Sequence, residues 1–146
     1  MILLCSWAYQ IGIALPIGSI ATFIVVSTLA ARGSLTDFVF ARQIIWTGSL
    51  SITMPGLWLA TCARAGLLWQ HRTGSVLEIV QLAVASMMVL FGHLLILPAA
   101  RKCLALARQS QLDGRMHPAY QRAYAKETTA GAVNLLLAVL SPLATR

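Results

Sequence analysis

The chain has 146 residues, of which 58% are apolar and only 10% charged, and its mean hydropathy is +0.77. Soluble domains carry about 25% charged residues, so this inventory excludes an ordinary water-exposed surface, and the length suits one compact bundle. The net charge of +7 would suggest nucleic acid as the partner of a soluble protein. Here the basic residues lie between apolar stretches, where the positive-inside rule puts them, and no basic groove interleaved with aromatics is visible. No nucleic-acid partner is expected.

The N-terminus lacks a basic n-region and its apolar stretch is too long for a cleaved leader, so the first segment is expected to stay as a membrane span. That span reads from about 7 to 31 and contains Pro16 but no charge. About 20 apolar residues cross a bilayer core, which leaves room for tilt. Ala14, Gly18 and Thr22 place small residues on one face at spacing four, a pattern that lets membrane helices approach closely and predicts packing within the chain or between subunits. Arg32-Gly33-Ser34 closes the span, and Ser34-x-x-Asp37 reads as a capping box for the next helix.

The second span reads from 43 to 63, between Arg42 and Arg64, and Pro55-Gly56 predicts a kink in its middle. Trp46 and Trp69 suit interfacial anchoring. After the loop 70–75, the third span reads from 76 to 98, with Glu78 in its first turn, where a carboxylate favours the helix dipole. The pattern continues past Pro98 through Arg101-Lys102-Cys103-Leu104 toward Gln109, and Asp113-Gly114 breaks it. His117-Pro118 opens the last segment, 118–140, with Pro118 at the first helical position. Asn134 in that segment is placed to hydrogen-bond across helices. The expected fold is therefore all-α: a transmembrane bundle of four helices with short loops, in a single domain over 1–146.

Orientation follows from Lys and Arg. Arg32, Arg42, Arg101, Lys102, Arg108, Arg115, Arg122 and Lys126 fall on one side of four spans, and Arg64, Arg72 and Arg146 on the other. That bias predicts a multi-pass protein of a bacterial inner (plasma) membrane, both termini outside and the connection 99–127 cytoplasmic.

Few residues offer chemistry. His93 is the one histidine within a span; a neutral imidazole can ligate haem iron or copper, and equally it can bond a neighbouring helix or sit near the headgroups. A bis-histidine haem needs a second histidine at the same depth, which neither His71 nor His117 offers easily; Met54, Met87 and Met88 are formal alternatives, more often gap-fillers. Glu78 and His93 are 15 positions apart, roughly 22 Å of helix, so they cannot share a site. Cys5, Cys62 and Cys103 fall singly, against a zinc or redox pair; Cys5 and Cys62 share the outer side but are expected to be free thiols. No phosphate loop, H-E-x-x-H motif or poised carboxylate pair is present.

Four spans in this length, the "ILPAARK" end of span three and "HPAYQRAYAKETTAG" before span four resemble a superfamily of small bacterial membrane proteins. It includes CopD-like copper-resistance domains, an uncharacterised family of integral membrane proteins and the HemJ protoporphyrinogen oxidases. The resemblance to HemJ implies haem (haem b as cofactor), with His93 in "LFGHLL" matching the later histidine. Gln10 stands about where that family has its first-span histidine, and Gln81-Leu82 where it has a lysine. Its Asn-Glu-x-Pro pattern is echoed only by Lys126-Glu127. These departures make the non-enzymatic branch the better match. The function expected is a small non-catalytic membrane protein in contact with the lipid bilayer, an accessory subunit beside other membrane protein subunits. A haem-binding redox protein of HemJ type is the alternative, and copper handling ranks third because Met, His and Cys form no cluster at one depth.

Overall fold

A computed structural model describes residues 2–30, 32–70 and 75–143, with the side chains of 141–143 left aside. Four helices account for almost all of it, and no strand occurs among the described residues. We number them α1 (Ile2–Ala30), α2 (35–70), α3 (Val76–Asp113) and α4 (Tyr120–Leu143). By length and composition, α1 and α3 are long and apolar enough to cross a membrane.

Local chemistry sets the helix ends. Ser34 caps α2: its hydroxyl accepts from the Asp37 N–H at 3.2 Å and its own N–H donates to the Asp37 carboxylate at 2.8 Å. The expected capping box is there. The same box recurs at α3, where the Ser75 N–H donates to the Glu78 carboxylate at 3.0 Å, so Glu78 serves the helix end. Gly114 stops α3 in the left-handed region, φ 66°, which favours glycine. The turn into α4 is tied by the Ser110 hydroxyl, which accepts from the His117 N–H at 2.9 Å. His117 Nδ1 accepts from Ala119 N–H, and Tyr120 N–H reaches back to the His117 carbonyl. Pro118 thus sits in the turn that leads into α4, and the regular helix begins at Tyr120.

Both long helices carry one π-helical turn, Ser49–Thr53 in α2 and Gly92–Ile96 in α3. Each lies two residues before a proline, Pro55 and Pro98. A proline ring clashes with the carbonyl four residues back and offers no N–H to it. Widening the turn removes the clash, and the next amide bonds five back instead: Met54 N–H to Ser49, Leu97 N–H to Gly92. The π turn of α2 thus falls just before Pro55, where a kink is expected, and α3 runs on through Pro98 to Asp113. At 38 residues it is about 57 Å long, so the segment expected as 76–98 is only its first part, just as 43–63 is the middle of α2.

The helices form two cores. In the first, α1, the second half of α2, the first half of α3 and the end of α4 form a four-membered ring with α1 diagonal to α3, filled by Tyr9, Ile13, Leu57, Ala60, Met88 and Ala138. The second core joins the start of α2, the end of α3 and the start of α4 around Cys103, Ala107, Tyr120 and Ala123. Every basic residue of the 32–42 and 101–126 stretches belongs to that end of the bundle.

Two sequence expectations need correction. The face of α1 that packs inside the chain is Gly12, Pro16 and Ser19, while Ala14, Gly18 and Thr22 lie exposed. A Cβ on Gly12 would fall 2.5 Å from the Ala60 nitrogen and 2.8 Å from the Gly56 carbonyl oxygen, whereas one on Gly18 meets nothing within 4 Å. The Gly12–Gly56 crossing is the close approach, sealed by Ser19 and Thr53 hydroxyls at 2.7 Å. Asn134 is only 1% exposed, yet neither its amide nitrogen nor its oxygen has a partner among the described residues, so the expected bond across helices is not found among them.

Candidate functional site: a caged arginine at the basic end

Arg42 lies one turn past the start of the second core and is 4% exposed. α2 and α4 are brought together there by Phe38 against Tyr120, ring centroids 4.9 Å apart and edge to face. Spacing along α4 then matters. Tyr120, Tyr124 and Glu127 follow at intervals of four and three, so they share one helix face. That face closes over Arg42. The guanidinium carbon sits 4.8 Å from the Tyr124 ring centre, 5.4 Å from Tyr120 and 5.9 Å from Phe38, within cation–π range. Its NH1 donates to the Glu127 carboxylate at 2.8 Å. This is the ion pair found among the described residues.

The cluster is a fixed charge pair and not an acid–base device, because a guanidinium keeps its proton. What it does is clamp α2 to α4 across 85 positions of sequence. Beside it, Cys103 is fully buried. Burial pushes its thiol up to about 12, and the nearby Glu127 charge adds to the rise. A buried thiol of that kind is inert. Two outer bonds extend the clamp, Arg108 to the side-chain amide oxygen of Gln43 at 2.7 Å and Gln111 to the Thr36 hydroxyl at 3.1 Å.

Neither Arg42 nor Glu127 stood out in the sequence as a pair. Arg42 read as a flanking charge and Glu127 as part of a motif echo. The signal available was the Tyr120, Tyr124, Glu127 face, which asks for a cation opposite.

His93 falls in the π turn of α3, on its exposed side. Its Nδ1 lies 3.1 Å from the Val89 carbonyl of the same helix, and its ring stands edge-on to Trp58 at 6.0 Å. Around it a shallow surface groove of about 460 Å³ is lined by Trp46, Leu97 and Arg101 among others. Gly92, next to His93, faces inward against Met54, where a Cβ would meet the Met54 methyl at 2.5 Å, whereas His93 is exposed to the groove. Met54 and Met88 are core residues and Met87 is exposed. His117 is held in the α3–α4 turn, and His71 lies outside the described residues. Gln10 is exposed on α1, diagonal to α3. Nowhere among the described residues do three His, Cys, Asp or Glu side chains converge as a metal site would need.

Cys5 faces Gly66 and Gln70 instead of Cys62, and Cys5, Cys62 and Cys103 are all free thiols. No protein-family model, curated protein or solved structure matches the chain.

Proposed function

We propose that this protein is a four-span integral protein of a bacterial inner membrane, of the small CopD-like and HemJ-like type, that works without catalysis as an accessory subunit. Large apolar side chains face outward from all four helices: Ile24 and Val25 on α1, Leu50 and Trp58 on α2, Leu90 and Leu94 on α3, Leu136 and Val139 on α4. A water-soluble monomer rarely exposes apolar patches of more than a few hundred Å². That outer belt is the observation which carries the membrane reading. α2 and α4 are less apolar overall because their small polar residues point inward, as Ser49, Thr53 and Asn134 do. The basic end then lies in the cytoplasm, and α3, about 57 Å long against a hydrocarbon core of about 30 Å, carries the second core beyond the bilayer.

The subunit role is supported by the open face of α1. Ala14, Gly18 and Thr22 line a groove of about 410 Å³ shared with Phe23, Ile44 and Ile52. Close-packing small residues left uncovered in lipid suit a further helix. The test separates assembly from folding. Gly18→Leu is expected to leave the melting temperature of the purified chain unchanged, since a Cβ there would meet no side chain and no other helix within 4 Å. In native membranes the same variant is expected to shift the protein from a larger assembly to free chain on a non-denaturing gel. An unchanged assembly overturns the subunit reading, and a stoichiometric Soret band in the purified protein would replace it with the haem-binding one.

A further inference from the structure

Between α3 and α4, on the face away from α1, runs a groove of about 990 Å³. Its walls are apolar: Phe91, Leu94 and Leu95 from α3 face Ala130 and Val133 from α4. Its upper rim is cationic. Lys102 comes from α3, and Arg122 and Lys126 from α4, all three exposed. No acid lines the groove. Asp37 and Glu78 belong to capping boxes, Glu127 is bound to Arg42, and Asp113 ends α3 11 positions beyond Lys102, about 16 Å along the helix.

Geometry and charge agree on the occupant. From Lys102 to Phe91 is 11 positions, about 16 Å along the helix, which matches one leaflet of a hydrocarbon core about 30 Å thick. α3 and α4 run antiparallel, so Arg122 and Lys126 meet Lys102 at the same end while Val133 lies beside the apolar part. The rim coincides with the end of the third span, where headgroups lie. We propose that this groove is a binding site for an anionic glycerophospholipid of the cytoplasmic leaflet, its phosphate held by Lys102, Arg122 and Lys126 and one acyl chain laid between Leu94 and Ala130. The proposal rests on the membrane reading above. Basic pockets between helices on the cytoplasmic side are suited to acidic headgroups, and a zwitterionic lipid would leave the three cations uncompensated.

The experiment uses the full chain in neutral detergent and titrates dioleoyl-phosphatidylglycerol against dioleoyl-phosphatidylcholine, which share their acyl chains, with bound lipid read by native mass spectrometry. Wild type is expected to prefer the anionic lipid by a factor on the order of a hundred. Lys102→Gln/Arg122→Gln/Lys126→Gln is expected to abolish that preference. Arg101→Gln/Arg108→Gln/Arg115→Gln removes the same charge elsewhere on this end and is expected to keep it. Ala130→Trp fills the groove without touching a charge and should weaken both lipids. Equal loss in the two triple variants, or no preference in wild type, overturns the site. Full competition by glycerol 3-phosphate would assign the rim to a soluble phosphate and overturn the lipid. Alkaline carbonate extraction of the same cells reads the underlying membrane assignment separately: release of the chain by carbonate would sink the four-span reading even where the micelle titration succeeds.

Discussion

Arg42 and Glu127 stand 2.8 Å apart with exposures of 4% and 11%, so neither charge is shared with water to any extent. Breaking a buried pair from one side costs about 3–5 kcal/mol, because the charge left behind is uncompensated. Glu127→Gln is therefore expected to lower the detergent melting temperature sharply. Arg42→Met/Glu127→Leu, which removes both charges and keeps the volume, should recover most of the loss. A double variant no more stable than the single one would assign the clamp to its aromatic contacts. Asn134 argues in the opposite direction. Its amide is buried with both ends unpaired among the described residues, and an unpaired buried polar group costs about 1–3 kcal/mol. Asn134→Leu, which keeps the number and branching of heavy atoms and puts methyls in place of the polar ends, is expected to raise the melting temperature, and a drop would mean the amide is bonded in the folded protein or the larger methyls are not accommodated.

Some helix ends were written locally and legible in the sequence: the Ser34 cap and the stop at Asp113-Gly114 depend on residues within one turn, while the Ser75 cap and the start of α4 at Tyr120, two residues past Pro118, were not read there. The helix face that packs was not written locally. Apolar side chains lie all round α1, so no polar stripe marks its outside, and the Ala14-Gly18-Thr22 stripe looks as suitable as Gly12-Pro16-Ser19. Only the partner decides, through Gly56 and Ala60 on α2. The same holds for the caged arginine: Tyr120, Tyr124 and Glu127 are legible as one face, but a cation 85 positions away is not. Glycine substitutions test the resulting packing. A Cβ on Gly12 meets the backbone of Ala60 and Gly56, which cannot step aside, whereas on Gly92 it meets the flexible end of Met54 at 2.5 Å. Gly12→Ala is expected to cost about 3 kcal/mol and Gly92→Ala about 1 kcal/mol, within the range for overpacking, with Gly18→Ala near zero. The order, read from melting temperatures, matters more than the values, and Gly18→Ala as the most damaging of the three would reverse the assignment of α1 faces.

At the scale of the molecule, two cores of different character stack along one axis, an apolar ring of four helices and a three-helix extension that holds Arg42, Cys103 and Tyr120. Charge follows the same division. Eight of the eleven Lys and Arg residues gather at the extension, so the positive-inside rule orients the whole body once the ring is in the bilayer. Native Cys103 cannot report on this, since a fully buried thiol pushed up to about 12 resists aqueous thiol reagents until the protein unfolds. Two other positions can. Trp69 at the end of α2 and Leu112 at the end of α3 are each 87% exposed and lie at opposite ends of the axis. In a chain with Cys5→Ser and Cys62→Ser, Trp69→Cys is expected to react with a membrane-impermeant maleimide in cells whose outer membrane alone has been opened. Leu112→Cys is expected to stay silent there and to react once the inner membrane is broken. The opposite pattern would invert the protein in the membrane, and with it the leaflet from which the groove between α3 and α4 draws its lipid.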